Sequence, residues 1–343
     1  METARATWDL ENNIADLPAG DDDEMFRYDE ASQKAVQQQR PWVRNPHYFK
    51  HVRVSALALI KMTMHCRSGG NLEVMGMLQG KTVGDTFVVL DAFALPVEGT
   101  ETRVNAQAEA YEYMVDFVQA SKDVGRKEHV VGWYHSHPGY GCWMSGIDCS
   151  TQMLNQQYTE PFLAIVIDPV RTCAAGKVEI GAFRTYPQGY NPPEEPQGKH
   201  QTIPMNKIED FGVHARSYYS LDVSFFKSSL DARTLDVLWN KYWVNTLSSS
   251  PLRTNAGFVS EQLADLAEKM NRAESQAAQA GRMGGLLISG ASNSPRAKKT
   301  EASNLRRVAL DAAKCTVEQA KGTATHILKD AIFNRGGTTE ASG

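Results

Sequence analysis

His129-Val-Val-Gly-Trp-Tyr-His135-Ser136-His137-Pro138-Gly-Tyr-Gly-Cys-Trp-Met-Ser145-Gly-Ile-Asp148 is the stretch on which the reading of this chain turns. It begins as an apolar run suited to a strand, and side chains two apart on a strand share a face, so His135 and His137 direct both imidazoles to one side. Pro138 and the glycines at 139 and 141 end the strand. Ser145-Gly-Ile-Asp148 then has the Ser-x-x-Asp form of a helix start, which delivers a carboxylate from a helix N-terminus. Two histidines and one carboxylate occupy three corners of a tetrahedron, and a zinc ion held this way keeps its fourth position for water, as catalytic sites do. Singly, each residue has a plainer reading: a packed strand histidine, or a capping-box carboxylate. The combination is what points to a metal.

Working outward, Glu73-Val-Met-Gly-Met-Leu-Gln-Gly and Thr86 to Leu95 read as two strands of a hairpin turning at 81–85. Upstream of it, Leu57, Ile60 and Met64 fall at helical spacing from Val54 to the Gly69-Gly70 stop. After the polar loop from Val97 to Gln107, Tyr111, Met114, Val115 and Val118 mark the expected buried face of a second helix. The helix opened at Ser145 runs to about Tyr158. Phe162 to Ile167, continuous and apolar, suits a central strand buried on both faces, and Val178 to Phe183 is the next strand. Tyr219, Leu221, Val223 and Phe225 alternate with polar residues as one more strand. Strands and helices in this order predict an α/β fold, a mixed β-sheet flanked by helices.

At 343 residues with 42% apolar content, the chain is long enough for two domains. Residues 1–49 read as a polar extension with a short helix around Phe26 to Gln37, 50–226 as the domain carrying the site (motif core 54–187), and 227–343 as helical. The last part contains an expected disordered insert near 281–303, rich in Gly, Ser, Asn, Lys and Pro. Stripes of Val259, Leu263, Leu266 and Met270, and of Leu305 to Ile332, mark its helices. A net charge of −4 leaves no basic surplus for phosphates, which argues against nucleic acid as a partner. No run approaches the roughly 18 apolar residues of a membrane span and no signal segment is evident, so a soluble intracellular protein without a membrane partner is expected. The five cysteines are odd in number and scattered, as in a reducing compartment.

A zinc hydrolase also needs a group that takes a proton from water and returns it to the leaving amine, and Glu73 is the candidate, although a strand-end Glu is ordinarily just solvated. Ser145 has two readings as well, as the helix N-cap and as a donor to the oxyanion of a tetrahedral intermediate. Taken together, Glu73, His135-Ser136-His137-Pro138 and Ser145-Gly-Ile-Asp148 resemble the JAMM (MPN-plus) motif of zinc metalloproteases that cleave isopeptide bonds to ubiquitin-like modifiers. The wider matches Gly-Asn-Leu-Glu73-Val-Met-Gly-Met-Leu-Gln-Gly and Gly132-Trp-Tyr-His135-Ser-His137-Pro-Gly-Tyr-Gly-Cys-Trp are similar to the branch of that family formed by the catalytic subunits of the COP9 signalosome.

The resemblance implies Zn2+ as cofactor on His135, His137 and Asp148, Glu73 as general acid/base and Ser145 as stabiliser of the intermediate. It implies water rather than cysteine as the nucleophile, with Cys142 a packing residue. It further implies removal of a Nedd-type modifier from cullins, with neddylated cullin-RING ligases as substrate and other MPN- and PCI-type subunits of the complex as partners, in cytoplasm and nucleus. The alternatives are a JAMM deubiquitinase of a proteasome-lid-like complex and a non-catalytic MPN scaffold, the latter having no need of an intact ligand set. Glu101, in the loop after Val97, is the candidate for a residue that restrains the site until a partner displaces the loop.

Overall fold

The computed structural model describes residues 2–18, 20–98, 104–190, 192, 201–236, 256–286 and 295–330. It divides into two compact units, one of Met1–Cys173, Lys177–Gly198 and Asp210–Ser249, the other of Ala174–Gly176, Lys199–Glu209 and Ser250–Gly343.

The first unit is built on a mixed sheet of β1 (Ile14–Asp16), β2 (His51–Ser55), β3 (Val74–Val83), β4 (Thr86–Glu98), β5 (His129–Ser136), β6 (Leu163–Asp168), β7 (Glu179–Thr185) and β8 (Tyr218–Lys227). Their order is β1-β8-β2-β4-β3-β5-β6-β7, with a further pairing of β8 to β7. β8 makes both bonds by dividing its length: Tyr218 to Leu221 pair antiparallel with β7, and Asp222 to Phe226 pair parallel with β2. The sheet therefore closes on itself, and the alternation expected at Tyr219 to Phe225 belongs to the strand that closes it. β1 adds in parallel to β8 at Phe225–Lys227, so the polar N-terminal segment contributes a strand where only a lead and a short helix are expected.

The helices are α1 (Glu2–Asn12), α2 (Asp21–Phe26), α3 (Glu30–Gln39), α4 (Pro41–Arg44), α5 (Ala56–Ser68), α6 (Val104–Asp123), α7 (Gly146–Thr159), α8 (Pro169–Ala175) and α9 (Ile208–His214). The main core lies between α5 and one sheet face, where Ala58, Leu59, Met62 and Cys66 meet Val52, Val54, Leu78, Val89, Ile165 and Ile167. This departs from the expected stripe, since Leu57, Ile60 and Met64 are only half-buried. The helix also starts later than expected, because Val54 belongs to β2, paired on both edges. A smaller core of Trp133, Met144, Cys149, Ala164, Val166 and Phe183 lies on the opposite face, with buried Cys149 and Gln152 of α7 turned toward it. Buried apolar area of this kind supplies roughly 25 cal/mol per Å². On α6, Met114 and Phe117 pack on Phe93 and Leu95, whereas Tyr111 and Val115, expected inside, are exposed.

In the second unit, α10 (Ala256–Leu286) and α11 (Pro295–Asp330) pack together. The buried ammonium of Lys269 lies 2.9 Å from both Asp265 and Asp311 and donates at 2.6 Å to the Ile203 carbonyl, tying both helices to the segment at 201–204. A buried cation needs such partners to offset its desolvation. Helix occupies 281–286 and 295–303, where a disordered insert is expected; 287–294 lie outside the described residues. Leu263 and Met270 of the expected stripe are exposed. Among the described residues, no helix is long and apolar enough to cross a membrane.

Candidate metal centre

β5 is held on both edges, His135 lying opposite Met75 of β3 and Val166 of β6. The His135 ring is fully buried and stacks on Trp133 at 4.5 Å between centroids. Extended pairing continues past the strand end, since the His137 N–H donates to the Ile167 carbonyl at 2.9 Å. The two-residue period therefore survives to His137, and the imidazoles converge, with Nε2 to Nε2 at 3.1 Å. His137 Nδ1 lies 3.1 Å from the Gly141 carbonyl. A carbonyl only accepts, so Nδ1 carries the proton and Nε2 presents a lone pair to the cluster.

α7 supplies the third group. Ser145 is its N-cap, with Ser145 Oγ accepting from the Asp148 N–H at 3.2 Å and Asp148 Oδ2 accepting from the Ser145 N–H at 2.9 Å, a complete capping box. The Ser145 hydroxyl donates to the same Oδ2 at 2.7 Å. With Oδ2 so anchored, Oδ1 lies 3.4 Å from His135 Nε2, while Oδ2 lies 3.4 Å from His137 Nε2. One ligand atom from each of His135, His137 and Asp148 falls within 4.8 Å of the others, and all three residues are buried. Burial alone would raise the Asp148 carboxyl, but the His135 and His137 imidazoles outweigh it and hold the group well below the usual carboxylate range.

These residues fit zinc: two imidazole nitrogens and a carboxylate oxygen, one imidazole already in the tautomer that leaves its lone pair inward. His135 Nδ1 is buried and has no hydrogen-bond partner among the described residues. A cation between His137 Nε2 and the Asp148 carboxylate would offset the cost of holding these two acceptors out of water.

Glu73 lies just before β3, whose first N–H, that of Val74, donates to Ser136 Oγ at 2.9 Å. It is half-buried, and its Oε1 accepts a hydrogen bond from the Tyr140 hydroxyl. The Tyr140 ring in turn packs 4.5 Å from the His137 ring. Glu73 is thus joined to the cluster through Tyr140, a residue that sequence reasoning missed although it lies inside the decisive stretch. Asp168 was missed too; a fully buried carboxylate closing the apolar run of β6 was the available signal. Glu101 lies outside the described residues, as do 99–103 together, while Val97 and Glu98 of the expected loop end β4 and Val104 to Gln107 open α6. Cys142 is buried with its Sγ toward the Glu179 carbonyl, and burial pushes its thiol well above the ordinary value, which suits a packing role.

Residues 47–161 match the model of the JAB1/Mov34/MPN/PAD-1 ubiquitin protease family, the class that the closed mixed sheet and the His-His-Asp cluster define. Residues 248–334 match the Cop9 signalosome subunit 5 C-terminal domain. The chain is 62% identical over 333 residues to COP9 signalosome complex subunit 5b of Arabidopsis thaliana, covering 96% of this chain and 92% of that one. It is 56% identical over 336 residues to COP9 signalosome complex subunit 5 of Drosophila melanogaster, covering 98% of each, and 56% identical over 337 residues to that of Dictyostelium discoideum, covering 98% and 97%. The chain belongs to the JAB1/Mov34/MPN/PAD-1 family, in the branch of COP9 signalosome subunit 5 proteins.

Proposed function

We propose that this protein is a zinc-dependent isopeptidase that removes a Nedd-type modifier from cullins as the catalytic subunit of a COP9 signalosome. The observation that carries the chemistry is the buried His135, His137 and Asp148 cluster with Glu73 tied beside it; the relatives' names support the assembly, and the family resemblance suggests the substrate. Zinc, when bound, supplies Lewis acidity toward water and the scissile carbonyl. The chain's own residues do the rest. His135, His137 and Asp148 hold the ion, and the sheet edges of β5 and the capping box of α7 keep them in place. Glu73 takes a proton from the attacking water and returns it to the lysine amine as the isopeptide C–N bond breaks, so no covalent acyl-enzyme forms. Tyr140 orients the Glu73 carboxylate, and Ser145 would turn its single hydroxyl proton from Asp148 Oδ2 to the tetrahedral oxygen as charge develops there.

The test is to assay Nedd-type-modified cullin and ubiquitin chains side by side, with the chain alone and in its complex. Glu73→Gln should lower kcat by about 10²–10⁴ at unchanged zinc content, and His135→Ala should remove the zinc. Activity confined to ubiquitin chains would point to a deubiquitinase instead, and a wild-type complex without zinc would refute the reading.

A further inference from the structure

Asp168 ends β6, is fully buried, and touches none of the three ligands, yet it is bonded to the loop that follows them. Its Oδ1 accepts from the backbone N–H groups of Gly139 at 2.9 Å, Val170 at 3.0 Å and Arg171 at 2.9 Å. Its Oδ2 accepts from the Gly141 N–H at 2.8 Å and faces Arg171 Nε at 3.2 Å. Arg171 Nε also reaches the Gly139 carbonyl at 3.3 Å. Gly139 and Gly141 have φ of 87° and 93°, so this loop has glycine's freedom at two of its positions and needs outside restraint to stand still. One residue links the restraint to the cluster: Gly141 gives its N–H to Asp168, and its C=O, in the next peptide group, accepts from His137 Nδ1.

We propose that Asp168 is a positioning residue for the metal centre, acting through Gly141 to hold His137 with Nδ1 protonated and its Nε2 lone pair facing His135 and Asp148. A histidine ligand commonly donates its other N–H to a fixed acceptor that sets tautomer and ring orientation. Here the acceptor is a carbonyl in a glycine loop, and the carboxylate that would ordinarily be that acceptor stands one residue further back. Arg171, held against Asp168 and Gly139, completes the brace. The arrangement rests on the zinc reading for its consequence, though not for its geometry.

Asp168→Asn separates the two halves of this carboxylate. An amide keeps one acceptor, and the side with three backbone donors will claim it, leaving the NH₂ group against Gly141 N–H and Arg171 Nε. The start of α8 is then kept and the Gly141 bond lost. In the full-length chain, zinc affinity measured by chelator competition should fall about 10–100-fold. In the metal-free chain, 15N spectra of labelled histidine should show His137 in its Nδ1–H form in the wild type and in a tautomer mixture in the variant. Unchanged zinc affinity in a folded variant would overturn the proposal while leaving the zinc site standing. A wild type that binds no zinc would refute the zinc reading, and the metal-free spectra would still decide the relay. Should the variant fail to fold, the wild-type spectrum decides, because an Nε2–H form of His137 overturns the idea.

Discussion

Tyr140 is the residue whose role only its partner reveals. Burial pushes its phenol far above the ordinary value, and the Glu73 carboxylate adds to the effect, so it stays a donor at every working pH. A hydrogen bond to a charged group contributes about 1.5–3 kcal/mol, and under the proposed function part of that would orient the Glu73 carboxylate. Tyr140→Phe should therefore lower kcat by about tenfold, with KM and zinc content little changed. Steady-state kinetics on modified cullin check this, and a variant with wild-type kcat would remove Tyr140 from the mechanism. The three clustered residues His135, His137 and Asp148 were legible in the sequence because each rule that finds them is local: a period of two on a strand, and a three-residue step at a helix start. Tyr140 was not, because its partner is 67 residues away in the chain. Glu73 was named only from the need for a proton-handling carboxylate, for a glutamate at a strand end carries no local mark.

Helix α7 shows how one element serves stability and chemistry with the same atoms. Its capping box satisfies backbone donors at the N-terminus and at the same time fixes the rotamer of Asp148. Ser145→Ala should cost about 1 kcal/mol, seen as a fall of about 2–4 °C in the Tm of the metal-free chain. It should also weaken zinc binding, since Asp148 Oδ2 loses its 2.7 Å donor. Calorimetry with and without zinc separates the two effects; an unchanged zinc affinity would show that the Ser145 hydroxyl does not help Asp148 hold the metal.

The elements misjudged from sequence share a physical cause. On α5 and α6 there are more apolar residues than one face can bury, and which stripe faces inward depends on the strands that cover it. β2 is five residues long and parallel to both neighbours, so its partners come from β4 and from β8, and nothing in His51–Ser55 itself announces them. β1, three residues in a polar segment, exists only because β8 offers an edge.

At the scale of the whole molecule, the first unit carries the cluster and the second presents apolar surface that its own packing does not cover. Leu310 and Val317, seven residues apart on α11, are 43% and 65% exposed, a spacing that places them on one helix face. Leu305 and Ile327 are exposed on the same helix. We propose that this face packs against helices of other subunits of the complex. The double variant Leu310→Glu with Val317→Glu should keep its helix content and zinc but lose co-purification with the complex. Retained assembly would exclude this face as the contact.

The sequence by itself determined which three residues gather as the cluster, an α/β class with a helical C-terminal part, and most of the strands, because period and capping are properties of neighbours along the chain. Only the tertiary structure decided how those pieces close. β8 joins β2 to β7, and Tyr140 and Asp168 reach across from other segments to steady Glu73 and His137. Such contacts are satisfied between residues far apart in the chain, where the loss of solvation on burial rather than any local preference selects the partner.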